Sequence, residues 1–329
     1  MRIVTLEEHV SFPEMTRRIP AAATKNNAFE HSPAIQKLAP KLADITSERL
    51  QSMDNNGISM QILSVTGPGA DLLDASDAVA FAREYNDSIA RQIENHASRF
   101  SAFAHLPVAV PEAAADELER TVKLYGFKGA LINGLTNNEF LDNPKFSPIF
   151  QRAEQLDVPI YLHPGMPPQS VVDAYYSSLP KYAGMLLSIA GWGWHSETAI
   201  HVLRLFVSGI FDRYPQFKLI IGHMGEMIPM MMARCDNAFK PGQAGINERT
   251  LIDTLQAQVH ITTSGLFTLP PLITAIDTFG IDNIMFSVDY PFSTNEQGSA
   301  YIELIRDRLG EAPLHKIAHA NADALLHLQ

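Results

Sequence analysis

Residues 2–9 read RIVTLEEH, an apolar and β-branched run that ends in two acids and a histidine. A run of this kind and length is typical of a buried β-strand. Because side chains alternate between the two faces of a strand, Glu7 and His9 are predicted to project from one face near its C-terminal end. The first strand is therefore predicted to carry a carboxylate and an imidazole into a common site.

Seven further runs predict buried strands, and stretches of helical periodicity at 75–96, 111–125 and 196–210 lie between some of them. Strands alternating with helices predict an α/β fold with a parallel sheet. Eight such strands favour a single domain over 1–329, a distorted (β/α)8 TIM barrel. Long insertions follow strand 1 (11–46) and strand 5 (164–193), where walls and lids of active sites usually lie. The seven runs are 58–65, 100–106, 129–133, 158–163, 218–223, 259–264 and 283–289.

An open doubly wound sheet is the alternative architecture. It is disfavoured because no glycine-rich phosphate loop follows the first strand, and the next candidate strand lies about fifty residues further on. The closed barrel is therefore the preferred prediction.

Composition narrows the functional classes. The chain has 329 residues, 46% of them hydrophobic, and a formal net charge of -11, so neither nucleic acid nor an anionic membrane surface is an expected partner. Cys235 is the only cysteine, which excludes an intramolecular disulfide and a multi-cysteine zinc site. The start shows no secretory signal and no apolar run approaches the roughly 18 residues of a membrane span. A cytoplasmic location is expected.

Polar residues also end three other predicted strands: His163, His223 and Asp289. The C-terminal ends of barrel strands open onto one face, so these side chains are expected to meet Glu7 and His9. A lone histidine at a strand end is more often a hydrogen-bonded core residue. Two buried carboxylates, however, need a compensating charge, and a divalent cation supplies it. The sequence therefore predicts a metal site.

Several motifs now indicate a family. They are Glu7-x-His9, His163-Pro164, the run GHMGE at 222–226 and the run SVDYPF at 287–292. Together they resemble the amidohydrolase superfamily, and within it the aminocarboxymuconate semialdehyde decarboxylase-like branch that includes γ-resorcylate (2,6-dihydroxybenzoate) and 2,3-dihydroxybenzoate decarboxylases. The resemblance extends over essentially the whole chain and is looser at 166–191.

The resemblance implies one divalent metal ion, Mn²⁺ or Zn²⁺, held by Glu7, His9, His163 and Asp289. A carboxylate in place of the first histidine of the common His-x-His motif favours manganese, although zinc also accepts carboxylates. No lysine ends the fourth strand, where a second metal would need a bridging ligand, so a single ion is expected.

The implied reaction is the non-oxidative decarboxylation of a small aromatic acid with an ortho hydroxyl group. Asp289 is expected to protonate the ring, and Glu226 to orient His223. Contacts with the substrate are expected from Phe292, Arg234 and Asn133, while His105 is a further candidate for the pocket. Members of such families commonly form dimers or tetramers, so a homodimer or homotetramer is expected.

Two alternatives remain open at the level of sequence. The same metal site can activate water for hydrolysis of a lactone, ester or amide, with Asp289 as the base. A non-catalytic barrel that binds a small aromatic acid is the second. His195 and His201 fall on a predicted helix and are not assigned to the site.

Overall fold

The computed structural model describes residues 1–24, 33–67 and 69–328. Each adjacent pair of strands is parallel, and the strands are ordered β1-β2-β3 in one sheet and β4-β5-β6-β7-β8-β9 in the other. The parallel α/β fold predicted from the sequence is confirmed. The strands are β1 Val4–Val10, β2 Met60–Val65, β3 Phe100–Ala102, β4 Ala104–His105, β5 Ala130–Asn133, β6 Ile160–His163, β7 Leu219–Ile221, β8 Val259–Thr262 and β9 Ile284–Met285.

Most predicted strands agree with the observed ones to within two residues at each end, although β7 ends at Ile221 and so leaves His223 in the turn that follows. Two predicted strands differ more. The third is divided at Phe103, because the chain changes partner there: the Phe103 N–H donates to Leu63 O in β2, and the Ala104 N–H donates to Gly129 O next to β5, both at 2.8 Å. The last is shorter than predicted because the Phe286 N–H donates to Ile317 O, outside any strand. Among the described residues, single hydrogen bonds connect β1 to the segment that follows β9, for example the one from the His9 N–H to Tyr290 O at 2.7 Å.

Helices return the chain between strands. The Pro111–Tyr125 helix begins with proline in its first turn and ends at Gly126, whose φ of +68° suits glycine. The helices are α1 Pro13–Thr16, α2 Ala21–Thr24, α3 Pro33–Ala43, α4 Glu48–Asn55, α5 Ala75–Ile93, α6 Pro111–Tyr125, α7 Ser147–Leu156, α8 Gln169–Val171, α9 Ala183–Ser188, α10 Gly193–Val207, α11 Ile210–Arg213, α12 Ile228–Ala238, α13 Leu251–Gln258, α14 Leu269–Phe279, α15 Asn295–Leu309, α16 Glu311–His315 and α17 Asn321–Leu325.

The insertions predicted after the first and fifth predicted strands are present. Helices α1 to α3 lie in the first, of which residues 25–32 are outside the described residues. The second, after β6, contains α8, a five-residue π-helical turn and α9. In the described part of the chain, none of the helices is long and apolar enough to cross a membrane.

The core has two parts, separated by the strands. A small cluster that includes Val4, Leu6 and Ile62 fills the space enclosed by the strands, and a larger one packs the strands against the helices. In β1 the pairing with β2 shifts between Thr5 and Glu8, so two residues there, Leu6 and Glu7, lie opposite one residue of β2, Ile62. This β-bulge lets Leu6 face the small cluster and Glu7 face the same interior one step higher.

Candidate metal centre and active site

Glu7 and His9 lie on β1 above the apolar cluster, and both side chains are fully buried. His163 ends β6, and its Nε2 lies 3.2 Å from Glu7 Oε1. On the other side, His9 Nε2 is 3.3 Å from Asp289 Oδ1, and His223 Nε2 is 3.5 Å from Glu7 Oε1. Five polar side chains from distant parts of the sequence thus face one point. They are named here the Glu7 cluster: Glu7, His9, His163, His223 and Asp289.

The histidines of the Glu7 cluster present the same nitrogen to its centre. Nδ1 of His9 pairs with Ser64 Oγ at 3.2 Å, Nδ1 of His163 with the Pro164 carbonyl at 2.8 Å, and Nδ1 of His223 with Glu226 at 2.7 Å. An outer partner on one ring nitrogen fixes the orientation of a histidine whose other nitrogen binds a metal. Each ring is therefore held with Nε2 towards the centre.

Two atoms at this centre have no hydrogen-bond partner among the described residues: Glu7 Oε1 and His9 Nε2. Buried polar atoms without partners are costly, so they indicate an absent group. Ligands about 2.1 Å from an ion lie roughly 3 to 3.5 Å from one another, which is close to the separations in the Glu7 cluster. The imidazole and carboxylate donors therefore fit a divalent cation.

Glu7 is fixed by its second oxygen. Oε2 accepts hydrogen bonds from the Tyr161 hydroxyl and, at 2.6 Å, from Ser264 Oγ. A Cβ at Gly222 would lie only 2.5 Å from this oxygen, so only glycine allows β7 to approach. Oε1 is consequently left directed at the centre of the cluster.

The backbone around the other two residues is unusual. Asp289 has φ +69°, and the residues from His223 to Met227 all have positive φ, although only Gly225 among them is a glycine. Non-glycine residues in this region carry strain and are enriched at functional sites. The strand ends are thus bent in a way that brings His223 and Asp289 towards Glu7.

Electrostatics follow from these contacts. Burial lowers the pKa of His9, but the nearby carboxylates of Asp289 and Glu7 outweigh it and raise the pKa to about 9. Burial likewise opposes protonation of His223, whereas Glu226 and Glu7 raise its pKa to about 10. Burial favours the neutral form of Glu7, yet His223, His163 and His9 hold its pKa well below the ordinary value. The site is arranged for a positive charge next to two carboxylates.

Glu226 connects the cluster to a further histidine. Its buried carboxylate lies 2.7 Å from His223 Nδ1 through Oε1 and 2.6 Å from His195 Nδ1 through Oε2. Sequence analysis expected Glu226 to orient His223, and the 2.7 Å contact is the geometry that this role requires. His195 was not assigned, because its position on a helix gave no indication that it reaches the barrel mouth.

A cavity of about 370 Å³ opens beside His163. Asn133, at the end of β5, and Trp194, at the start of α10, contribute to its lining. The insertion after β6 supplies another wall through Gly165 to Gln169. A volume of this size accommodates a single substituted aromatic ring.

The other residues expected in the site lie in different surroundings. The Phe292 ring packs edge-on against His9 with centroids 5.5 Å apart, next to the Glu7 cluster. Arg234 is exposed on α12 and does not line the cavity. His105 is buried away from the cavity lining, where its Nε2 accepts a hydrogen bond from the Ala70 N–H at 2.9 Å. Burial lowers the pKa of His105 to about 4, which suits a structural role.

Tyr161 and Ser264 were also missed from the sequence. Tyr161 stands two residues before His163, so the alternation of a strand already places both on one face. Ser264 follows β8 at a strand end, the position that identified His163 and Asp289. The prediction of metal ligands considered carboxylates and imidazoles, and hydroxyl groups that hold a ligand carry no such signal.

The family model that matches the chain, described as amidohydrolase, covers residues 37–328. The chain belongs to the amidohydrolase family, and the resemblance noted from its motifs is confirmed.

The individual relatives that the chain matches have more specific names than the family. The chain is similar to decarboxylase orsB of Emericella nidulans, with 39% identity over 88% of this chain and 87% of that one. It is 37% identical to γ-resorcylate decarboxylase of Rhizobium radiobacter over 99% and 98% of the two chains. A crystal structure of a dihydroxybenzoic acid decarboxylase from Polaromonas sp. JS666, with bound manganese and the inhibitor 2-nitroresorcinol, superposes with a TM-score of 0.88 at 36% identity, covering 99% of this chain and 97% of the other.

Proposed function

We propose that this protein is a metal-dependent, non-oxidative decarboxylase of a hydroxybenzoate that carries a hydroxyl group ortho to its carboxylate. The proposal depends on the Glu7 cluster. Two of its atoms, Glu7 Oε1 and His9 Nε2, have no hydrogen-bond partner among the described residues, and they fit a cation. The cavity beside them is large enough for an aromatic ring. Relatives of known name that match nearly the whole chain are decarboxylases. The whole chain, 1–329, is proposed to act as one domain.

Glu7, His9, His163 and Asp289 are proposed to hold one Mn²⁺ ion, with Zn²⁺ as the alternative. Two carboxylates and two imidazoles form a mixed oxygen and nitrogen set that suits manganese. The manganese bound by the Polaromonas relative supports this choice. Bound there, the cation supplies positive charge for the substrate carboxylate and its ortho oxygen, which fixes the ring.

Asp289 is proposed to act as the general acid. It donates a proton to the ring carbon that carries the carboxylate, and the bond to the carboxylate then breaks. CO₂ leaves, the bonding electron pair stays with the ring, and aromaticity is restored. Asp289 is left as a carboxylate and regains its proton from solvent. Asp289 has a φ of +69°, and strained backbone of this kind is concentrated at functional sites.

The remaining residues are proposed to hold the substrate. His223, oriented by Glu226, faces the substrate oxygen, and Phe292 packs against the ring from the side of His9. Asn133, which lines the cavity, is proposed to contact a ring hydroxyl. Arg234, exposed on α12, is proposed to attract the acid, so Arg234→Ala is expected to raise KM and leave kcat nearly unchanged.

The test is turnover of a panel of acids by protein loaded with Mn²⁺. The panel contains 2,6-dihydroxybenzoate, 2,3-dihydroxybenzoate and, as the control without an ortho hydroxyl, 4-hydroxybenzoate. CO₂ release from the ortho-hydroxylated acids alone is expected, and Asp289→Asn should abolish it while the circular dichroism spectrum stays the same. Cleavage of a lactone or ester panel with no CO₂ release would replace this function by hydrolysis.

A homodimer or homotetramer is also proposed. Large apolar side chains are exposed on the insertion after β6 and on α12, for example Tyr182 at 73% and Met230 at 76%. His195, just after the insertion, contacts Glu226, just before α12, and exposed apolar surface of the kind found on both segments marks an interface. Light scattering should report a mass of at least twice 36.3 kDa, and Met230→Lys should lower it. A cytoplasmic location is proposed because the sole cysteine suits a reducing compartment.

A further inference from the structure

His195 lies between the Glu7 cluster and the insertion after β6. Its Nδ1 is 2.6 Å from Glu226 Oε2, and its Nε2 is 3.0 Å from the carbonyl oxygen of Ala190. The ring also packs edge-on against His223, with centroids 5.0 Å apart. One side chain therefore contacts the carboxylate that orients His223, the His223 ring and the main chain of the insertion.

The partners of His195 determine where its protons lie. A carbonyl oxygen only accepts, so Nε2 donates to Ala190. On the other side a carboxylate accepts from Nδ1, and the positively charged surroundings hold the pKa of Glu226 below its ordinary value despite burial. Each ring nitrogen of His195 therefore has its own hydrogen-bond partner, and the ring is held from both sides.

Glu226 depends on this contact. Its carboxylate is fully buried, and its hydrogen bonds within the described residues come from His195 and His223. Without His195, one carboxylate oxygen would lose its donor in a buried place, which costs more than the bond itself contributes. Glu226 would then turn towards another donor and release its hold on His223 Nδ1.

We propose that His195 is a positioning residue, whose Nδ1 fixes the Glu226 carboxylate and through it His223, while its Nε2 contact with Ala190 helps to orient the His195 ring. The proposal rests on the function proposed above only for its kinetic consequence. The contact with Ala190 also places His195 against the insertion after β6, whose residues line the substrate cavity.

Three substitutions separate the two contacts of His195. His195→Ala removes both contacts. His195→Asn keeps an amide donor at the position of Nδ1, facing Glu226, and loses the Ala190 contact. His195→Gln reaches the position of Nε2 and loses the donor to Glu226. His201→Gln, on the same helix α10 but hydrogen-bonded to Leu141, is the matched control for damage to the helix.

Crystal structures of the metal-loaded variants give the direct measurement. In His195→Ala and His195→Gln, the Glu226 carboxylate should turn and the 2.7 Å contact with His223 should lengthen beyond hydrogen-bond range, whereas His195→Asn should retain it. Kinetically, kcat on the hydroxybenzoate should fall about 10- to 100-fold in His195→Ala with KM nearly unchanged, and His195→Asn should recover most of it.

An unmoved His223 ring in His195→Ala would overturn the proposal, as would an equal loss of kcat in His195→Asn and His195→Ala. Failure of the proposed function is a different result. If the wild-type protein decarboxylates none of the acids, the crystal structures of the variants still decide whether His195 positions Glu226.

Discussion

Glu7 and Glu8 are neighbours in β1, and both are completely buried, but their surroundings differ. Glu8 faces away from the strand interior, where it accepts hydrogen bonds from the N–H groups of Val288 and Tyr290 at 3.0 and 3.3 Å and from Gln61 at 3.3 Å. Gln61 links it to the buried Arg49. These residues, Glu8, Gln61, Arg49, Val288 and Tyr290, form what is called here the Glu8 network.

Burial raises the pKa of Glu8 to about 7, despite the hydrogen bond from Val288 and the charge of Arg49. The pKa of Glu7 is instead held well below its usual value by the histidines, against the effect of burial. The Glu8 network is completed by the chain itself, whereas the Glu7 cluster keeps unpaired atoms facing each other. Burial alone therefore does not distinguish a structural carboxylate from a functional one. The two neighbours differ in whether all of the buried polar atoms around them have hydrogen-bond partners.

The largest effect is expected from Glu7→Gln. The amide keeps the shape of the side chain but removes the charge that holds the cation. Metal content, measured by plasma mass spectrometry, should fall sharply, and kcat should fall more than about 100-fold, beyond the loss from an outer partner. Glu8→Gln is the matched control and should retain its metal. Equal loss of metal from the two variants would end the distinction drawn between the neighbours.

The second effect concerns stability. Arg49→Met removes a buried guanidinium that donates to the carbonyls of His9 and Asp44, at 2.5 and 3.0 Å. Loss of one member of such a buried charged network costs about 3 to 5 kcal/mol, so the free energy of unfolding in urea should fall by that amount. Metal content per folded chain should stay the same. A stable variant that had lost its metal would instead place Arg49 in the site.

A smaller effect is expected from Tyr161→Phe. The change removes the hydroxyl hydrogen bond to Glu7 Oε2 and leaves the one from Ser264. The Kd for Mn²⁺, measured by calorimetry, should rise about 10- to 100-fold. Thr262→Val removes a contact with the same hydroxyl group without touching Glu7, so its effect on Kd should be smaller. The reverse order would show that the hydroxyl chain, and not Glu7, carries the effect.

The smallest effect is expected from a buried histidine outside the site, His201, and concerns how stability depends on pH. Burial, with a contribution from Arg204, lowers the pKa of His201 to about 3. Below the unfolded value of about 6.5 the unfolded chain binds a proton that the folded chain does not, so stability falls as pH falls. Between pH 7 and pH 5 His201 should cost about 2 kcal/mol of unfolding free energy. His201→Gln should lack this part of the loss; identical pH slopes in urea unfolding would contradict it.

The sequence predicted much of this arrangement because two rules are local. Alternation along a strand placed Glu7 and His9 on one face, and the rule that barrel strands end at one face gathered His163, His223 and Asp289. Both rules need only the position of a residue within its own strand. The five side chains do meet, although His223 and Asp289 lie two and four residues beyond the observed ends of β7 and β9.

The features that were not predicted from the sequence depend on contacts between segments far apart in the chain. The division of the third strand at Phe103 is set by a hydrogen bond to Leu63, and the early end of β9 by one to Ile317. His195 reaches Glu226 only because α10 packs above the strand ends, which no periodicity in its own sequence indicates. The surroundings of Glu8 likewise come from residues around 288 and from Gln61, far away in the chain.

The β-bulge in β1 makes the number of residues in this strand as important as their chemical type. Because two residues of β1, Leu6 and Glu7, lie opposite one residue of β2, removing either would restore a regular ladder. Glu8 and His9 would keep their partners in β2 and their faces, but only one of the two inward positions at the bulge would remain. The extra residue therefore allows a single strand to supply both an apolar side chain to the core and a carboxylate to the site above it.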